Sequence, residues 1–233
     1  MKPSLCLYNP REVFLALQTN PTITKWLRFI ATKYEPPGGK VVLFYPCSAL
    51  KPYDKSPSYR RLLRSLEQNQ LRSKVHIITI SEPFGLVPEE FYSNGFSWYD
   101  CPGLFKWWCL RHDEPYEEEY LEKSIELLSS HIAAFLLRIV KSPLRNSVIG
   151  FVRTMTSSFE RRADHTHYRM LKNASKLAQL DFEILPRKNV VRKIVLERGR
   201  LAWDYYGVSH PMALSSLKNR IRSLSGRTPV FSS

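Results

Sequence analysis

Apolar residues follow two different rhythms along this 233-residue chain. Four short runs, KVVLFYP at 40–46, VHIITI at 75–80, SVIGFV at 147–152 and DFEILP at 181–186, are mostly β-branched, aromatic or aliphatic and are bounded by turn formers. Runs of this kind predict strands covered on both faces, because a half-exposed strand would alternate strictly. Between them the spacing becomes helical. SYRRLLRSLEQNQL sets Leu62, Leu63, Leu66 and Leu71 at helical intervals, YEEEYLEKSIELLSSHIAAFLLRIVK carries a longer stripe over 116–141, and HYRMLKNASKLAQL repeats it at 167–180. Alternating strands and helices predict an α/β fold of three layers, α/β/α, around a mostly parallel central sheet.

Helical spacing also marks both ends. Residues 10–33 predict two helices, read as a lid or an extra layer, that stop at YEPPGGK. After the fourth strand, RKNVVRKIVLERGRLAW and ALSSLKNRIRSL predict two more. The expected organisation is an N-terminal helical extension (1–36), an α/β catalytic core (37–186) and a basic helical C-terminal extension (187–233) packed on that core.

Charge narrows the choice of partner. Thirty-five Lys and Arg against 21 Asp and Glu give a formal net charge of +14. From Arg187 to Ser233 there are ten basic and two acidic residues, so +8 of that excess lies in the last fifth of the chain. Nucleic acid is the first polyanion to consider, and a solvated basic surface is the bland alternative. Cys6, Cys47, Cys101 and Cys109 make no CxxC pair, which fits reduced intracellular thiols. No signal-peptide stretch opens the sequence, and no run approaches the roughly 18 apolar residues of a membrane span. A cytoplasmic protein with no membrane partner is expected.

In an open parallel sheet, ligands bind beyond the carboxyl ends of the strands, where loops converge and helix amides point. That rule selects the loops after the four runs. PCSALKPYDKSPS offers Cys47, Lys51, Tyr53 and Ser56; Cys47 is either a nucleophile or a small buried hydrophobe, and Lys51 either an anion holder or a solvated amine. SEPFGLVPEEF offers Glu82, for a base edge, an amine or a turn cap, and Gly85, which permits close backbone approach. FSWYDCPGLFKWWC gathers Trp98, Tyr99, Phe105, Trp107 and Trp108 around Asp100 and Cys101, a set that suits nucleobase stacking or simply core. RTMTSSFERRADHTH supplies Arg153, then Arg161 and Arg162 for phosphate, Asp164 as a helix cap and His165 for acid/base work. His165 and His167 alternate as metal ligands do, but no second ligand pair has matching spacing, so no metal is expected. Arg60 and Arg61 on the leucine-striped helix, with Arg198 and Arg200 beside Trp203, Tyr205 and Tyr206, suit an RNA surface. No Gly-rich phosphate loop occurs, and no cofactor is expected. Cys47, Lys51, Glu82, Asp100 and Arg153 are expected around one cleft.

Residues 46–59, PCSALKPYDKSPSY, resemble the motif of the archaeosine synthase family of transfer-RNA modification enzymes: Pro-Cys, three residues, Lys-Pro-Tyr, two residues, Ser, two residues, His. Pro46, Cys47, Lys51, Pro52, Tyr53 and Ser56 match, and Tyr59 stands where the family has histidine. SEPFGLVPEEF and the aspartate of WYDCP extend the resemblance, which covers roughly 40–150. It implies a fold similar to uracil-DNA glycosylase and an enzyme that adds free lysine to the nitrile of 7-cyano-7-deazaguanine (preQ0) in tRNA. Family members also carry transglycosylase-like and PUA regions, and a radical-SAM enzyme completes archaeosine. This chain thus resembles a stand-alone or split catalytic domain, for which a protein bearing one of those regions is a candidate partner. The resemblance implies Cys47 as nucleophile toward the nitrile, or direct attack by the amine with Cys47 structural. Lys51 or Tyr53 would assist proton transfer, and Glu82 or Asp100 would bind base or amine. Two other functions compete: a non-catalytic tRNA-binding subunit, and a glycosylase-like base-processing hydrolase.

Overall fold

A computed structural model describes residues 5–93, 99–142, 146–154 and 165–225. In chain order the elements are β1 (Leu5–Cys6), α1 (Pro10–Thr19), α2 (Pro21–Thr32), β2 (Val41–Pro46), α3 (Pro57–Glu67), β3 (Val75–Ser81), β4 (Gly85–Pro88), β5 (Tyr99–Asp100), α4 (Lys106–Arg111), α5 (Glu118–Lys141), β6 (Val148–Phe151), α6 (Thr166–Leu177), β7 (Glu183–Leu185), α7 (Lys188–Arg198), α8 (Arg200–Tyr206) and α9 (Pro211–Ser225).

Several helix starts follow one local rule, a capping side chain followed by proline. Asn9 accepts from the Glu12 amide (3.0 Å) ahead of Pro10, and Asn20 accepts from the Thr22 and Ile23 amides ahead of Pro21. Ser56 accepts from the Tyr59 amide (3.3 Å) ahead of Pro57. Proline loses nothing at a position whose amide has no helical partner, so the chain enters each helix at a fixed residue.

The main sheet has the order β4-β3-β2-β6-β7, and every pairing is parallel except β3 with β4. Val42, Leu43, Phe44 and Tyr45 of the central β2 have no exposed surface, as its unbroken apolar run requires. On one face α1, α2 and α6 pack against α5; on the other α3 and α7 pack with α9, which also touches β2 and β7. The fold is therefore three-layer α/β/α with a mostly parallel sheet. Buried side chains from Leu7 to Ile221 form one continuous cluster. Among the described residues no helix is long and apolar enough to cross a membrane.

The structure departs from the sequence reading in three elements. GLVP, read as loop, doubles back as β4, with Ser81 paired to Gly85. A second small sheet, β1 with β5, joins the N-terminus to the Tyr99 segment. The helix expected over 187–203 divides at Gly199, whose φ of +80° ends α7 and starts α8 on a new course. Asp164, the expected cap of α6, lies outside the described residues.

Topology also places the crevice. From β2 the chain crosses through α3 to β3, whereas from β6 it crosses through α6 to β7 on the opposite side. The connections leaving the adjacent strands β2 and β6 diverge, and a gap opens at their carboxyl ends.

Candidate functional site

Three side chains meet at that gap. Cys47 follows β2, its amide donating to the Ile80 carbonyl across to β3 (2.9 Å). Glu82 is the first residue beyond β3 and is buried. His167 lies in the first turn of α6, after the β6 loop. His167 Nε2 is 3.2 Å from Glu82 Oε2 and 3.6 Å from Cys47 Sγ, and Sγ is 3.9 Å from the same carboxylate oxygen. Of the HTH segment, His165, the residue expected for acid/base work, lies at the same gap, but it is His167 that makes these contacts.

Burial sets the electrostatics of the trio, and its charges oppose it. Burial pushes the Glu82 carboxyl up, but the charge and hydrogen bond of His167 override this and hold it below its ordinary value. Burial pushes His167 down, yet Glu82 and Cys47 raise it well above the usual histidine range. Without a bound ion the pair is thus a half-buried imidazolium against a buried carboxylate. The donor atoms of Cys47, Glu82 and His167 all lie within 4.8 Å of one another, close enough to hold a metal.

Beneath them lies a hydroxyl network. Tyr53 donates to Ser81 Oγ (3.2 Å), and the Tyr99 hydroxyl hydrogen-bonds both Tyr53 and Ser81. Burial raises Tyr53 and Tyr99 well above an ordinary phenol, so both stay protonated. The Lys51 ammonium sits 4.0 Å from the centre of the Tyr99 ring, a cation–π contact. Burial, then the nearby charges of Glu82 and Cys47, push the Cys101 thiol up.

Above the trio is a cavity of about 440 Å³. Cys47, His165 and His167 form its base, Phe105 and Trp107 stand to one side, and Tyr205 and Tyr206 of α8 to another. Arg153 also lines it and donates to Asp204 of α8 (2.9 Å) while stacking over Trp203 (5.7 Å). Of the aromatic cluster expected around Asp100, Phe105 and Trp107 face the cavity, Trp108 stacks on Tyr8 and His112, and Trp98 lies outside the described residues.

The remaining candidates are spread more widely. Ser56 caps α3. Gly85 has φ of +66°, and a Cβ placed on it would lie 3.1 Å from Leu27 and 3.6 Å from Leu128 of the core. Asp100 is half-buried and pairs with Cys6 in the small sheet. Tyr59 has no exposed surface, and its hydroxyl bonds Thr79 and Tyr92. Arg60 and Arg61 are exposed on α3, Arg198 ends α7 and Arg200 starts α8; Arg161 and Arg162 lie outside the described residues. Arg61 and Arg198, with Arg64, Lys193 and Lys218, line a second cavity of about 880 Å³. Tyr206 lines both cavities, with the Arg61 guanidinium 5.1 Å from its ring centre.

A family profile described as a domain of unknown function, DUF5591, matches residues 23–174. The chain is 33% identical over 91 residues to archaeosine synthase subunit alpha of Thermoplasma acidophilum (38% of this chain, 17% of the relative). It is 28% identical over 118 residues to the Thermococcus kodakarensis subunit (49% and 19%) and 37% over 68 residues to that of Methanosarcina acetivorans (29% and 11%). The matched stretch thus spans less than a fifth of each of these relatives. The crystal structure of AF0587, a protein of unknown function, superposes with a TM-score of 0.49 at 18% identity, over 84% of this chain and 49% of that one.

Proposed function

Since the chain belongs to the DUF5591 domain family and these curated relatives are archaeosine synthase alpha subunits, we propose that it acts in archaeosine modification of tRNA, adding lysine to the preQ0 nitrile. The observation that carries this reading is the convergence of Cys47, Glu82 and His167 at the base of an aromatic-walled cavity.

The chemistry asks little beyond position and charge. A C–N bond forms between the lysine amine and the nitrile carbon, the nitrile becomes an amidine, and one proton passes from the amine to the former nitrile nitrogen. Nothing leaves and nothing is oxidised, so the site has to hold two reactants, stabilise charge developing on nitrogen and move a proton. In our reading Phe105, Trp107 and Tyr205 take an extruded base between aromatic faces. Glu82 or Asp100 receives base or amine, Lys51 or Tyr53 assists the proton, and Gly85 and Tyr99 shape the binding loops. His167 joins them as the proton carrier nearest Cys47. Two routes use these groups: Cys47 Sγ adds first and lysine displaces it from a thioimidate, or lysine attacks directly. Intact mass of protein mixed with preQ0-tRNA and no lysine separates them, since only the first gives a covalent adduct.

The decisive assay supplies labelled lysine and preQ0-containing tRNA to the purified chain, alone and with a transglycosylase-like, PUA-domain or radical-SAM partner. Label on the RNA is expected. Base release instead of label means a glycosylase-like hydrolase; salt-sensitive binding without product in any combination means a tRNA-binding subunit.

A further inference from the structure

We propose that Cys47, Glu82 and His167 form a three-ligand zinc site whose fourth position opens into the 440 Å³ cavity. The geometry argues for this directly. Zinc binds thiolate sulfur at about 2.3 Å and imidazole nitrogen or carboxylate oxygen at about 2.0–2.2 Å, so a tetrahedral ion spaces its donors roughly 3.4–3.6 Å apart. The three separations here are 3.6, 3.9 and 3.2 Å. All three donors converge on one small volume.

A nucleophile triad arranges its groups differently. There one imidazole nitrogen serves the nucleophile and the other the carboxylate. Here the single atom His167 Nε2 faces both sulfur and oxygen, so the ring does not bridge nucleophile and carboxylate through its two nitrogens. Glu82 is 2% exposed, and its Oε2 is the one oxygen that faces both His167 Nε2 and Cys47 Sγ. Three protein ligands and an open position are the pattern of catalytic zinc rather than structural zinc.

The site implies a use. If the function proposed above holds, the open position receives the nitrile nitrogen, the ion stabilises its developing charge, and the lysine amine attacks carbon directly with Cys47 as a ligand. That use rests on the function; the metal site does not.

The test is metal binding by untagged protein stripped with a chelator. Titration with Zn²⁺, followed by metal analysis of the desalted protein, should give one ion per chain, and Co²⁺ in its place should show tetrahedral d–d bands with a sulfur-to-metal charge-transfer band. Loss of groups that merely orient a ligand costs 10–100-fold in affinity, so Cys47→Ser, Glu82→Gln and His167→Ala should each weaken binding by roughly 100-fold or more. Cys6→Ser, which removes an exposed thiol, should bind as the unaltered chain does. Thermal melts of the metal-free proteins identify any variant that has not folded, and the cobalt spectrum of the unaltered chain stands independently of them. No stoichiometric ion, a cobalt spectrum without the sulfur band, or folded variants binding as tightly as the parent overturns the proposal. Lysine incorporation by protein that binds no zinc would reject the site and keep the function; zinc binding without incorporation would do the reverse.

Discussion

His167 Nε2 stands 3.2 Å from Glu82 Oε2, although 85 residues separate the two in sequence. Whether it moves a proton or holds an ion, His167 has to be at that spot for the cavity to do chemistry. Replacing it with alanine should therefore lower lysine incorporation by about 10²–10⁴-fold, the range for loss of a positioned acid or base. His112→Ala, on an exposed residue of another segment, should not. Single-turnover rates on preQ0-tRNA measure both, and a His167→Ala rate within twofold of the parent would remove this residue from the mechanism.

Tyr59 occupies the position where the resembled motif has histidine, and the structure gives it another occupation. Burial pushes its phenol well above the ordinary value, and its hydroxyl is spent on Thr79 and Tyr92. Tyr59→Phe should cost about 1–3 kcal/mol of stability, because buried partners lose a hydrogen bond, while leaving incorporation by the folded protein near normal. Urea unfolding and turnover, measured together, decide it: a large drop in rate with unchanged stability would return Tyr59 to catalysis.

The layers and parallel sheet were legible because buried strands have to be apolar throughout and crossover helices have to show a stripe. Cys47 and Glu82 were legible for the same reason, each being the first residue beyond such a strand. His167 was harder to see. Its partners lie 120 and 85 residues away, and metal-ligand spacing along the chain is blind to ligands from three separate segments. The Tyr99 segment was legible only in part: pairing of Tyr99 and Asp100 with Leu5 and Cys6 of β1 brings the Tyr99 hydroxyl into the network under Cys47, and no apolar rhythm marks so short a strand. The part of α8 in walling the cavity follows from the turn at Gly199, which apolar spacing across 187–203 does not register.

Glu89 provides a pH dependence away from the cavity. It accepts from Arg72 Nη2 (2.5 Å) and the Ile77 amide (3.3 Å), and His76 Nδ1 is 3.3 Å away. Burial raises its carboxyl, but His76 and Arg72 outweigh that and hold it below 4.5. A carboxyl depressed on folding adds stability above its unfolded value, and that contribution disappears as pH falls through the folded one. Glu89→Gln should thus cost about 1–3 kcal/mol at neutral pH, with the gap from the parent closing below pH 4.5. Urea titrations across the acid range check the sign, and a gap that widens on acidification contradicts it.

The second cavity bears on how RNA would reach the first. Arg61 and Arg64 of α3, Lys193 and Arg198 of α7 and Lys218 of α9 line it, and Tyr206 stands between it and the cavity over Cys47. A strand whose phosphates followed this basic side would bring a neighbouring nucleotide to the aromatic walls. Phosphate contacts release counterions, so each one lost reduces the slope of log affinity against log salt by roughly 0.7–0.9. Changing Arg61, Arg64 and Arg198 together to alanine should shrink that slope by about 2–3. It should also weaken tRNA binding, with zinc uptake at Cys47 unaffected. Filter binding across a salt series measures the slope, and an unchanged value would place the backbone on another face of the protein.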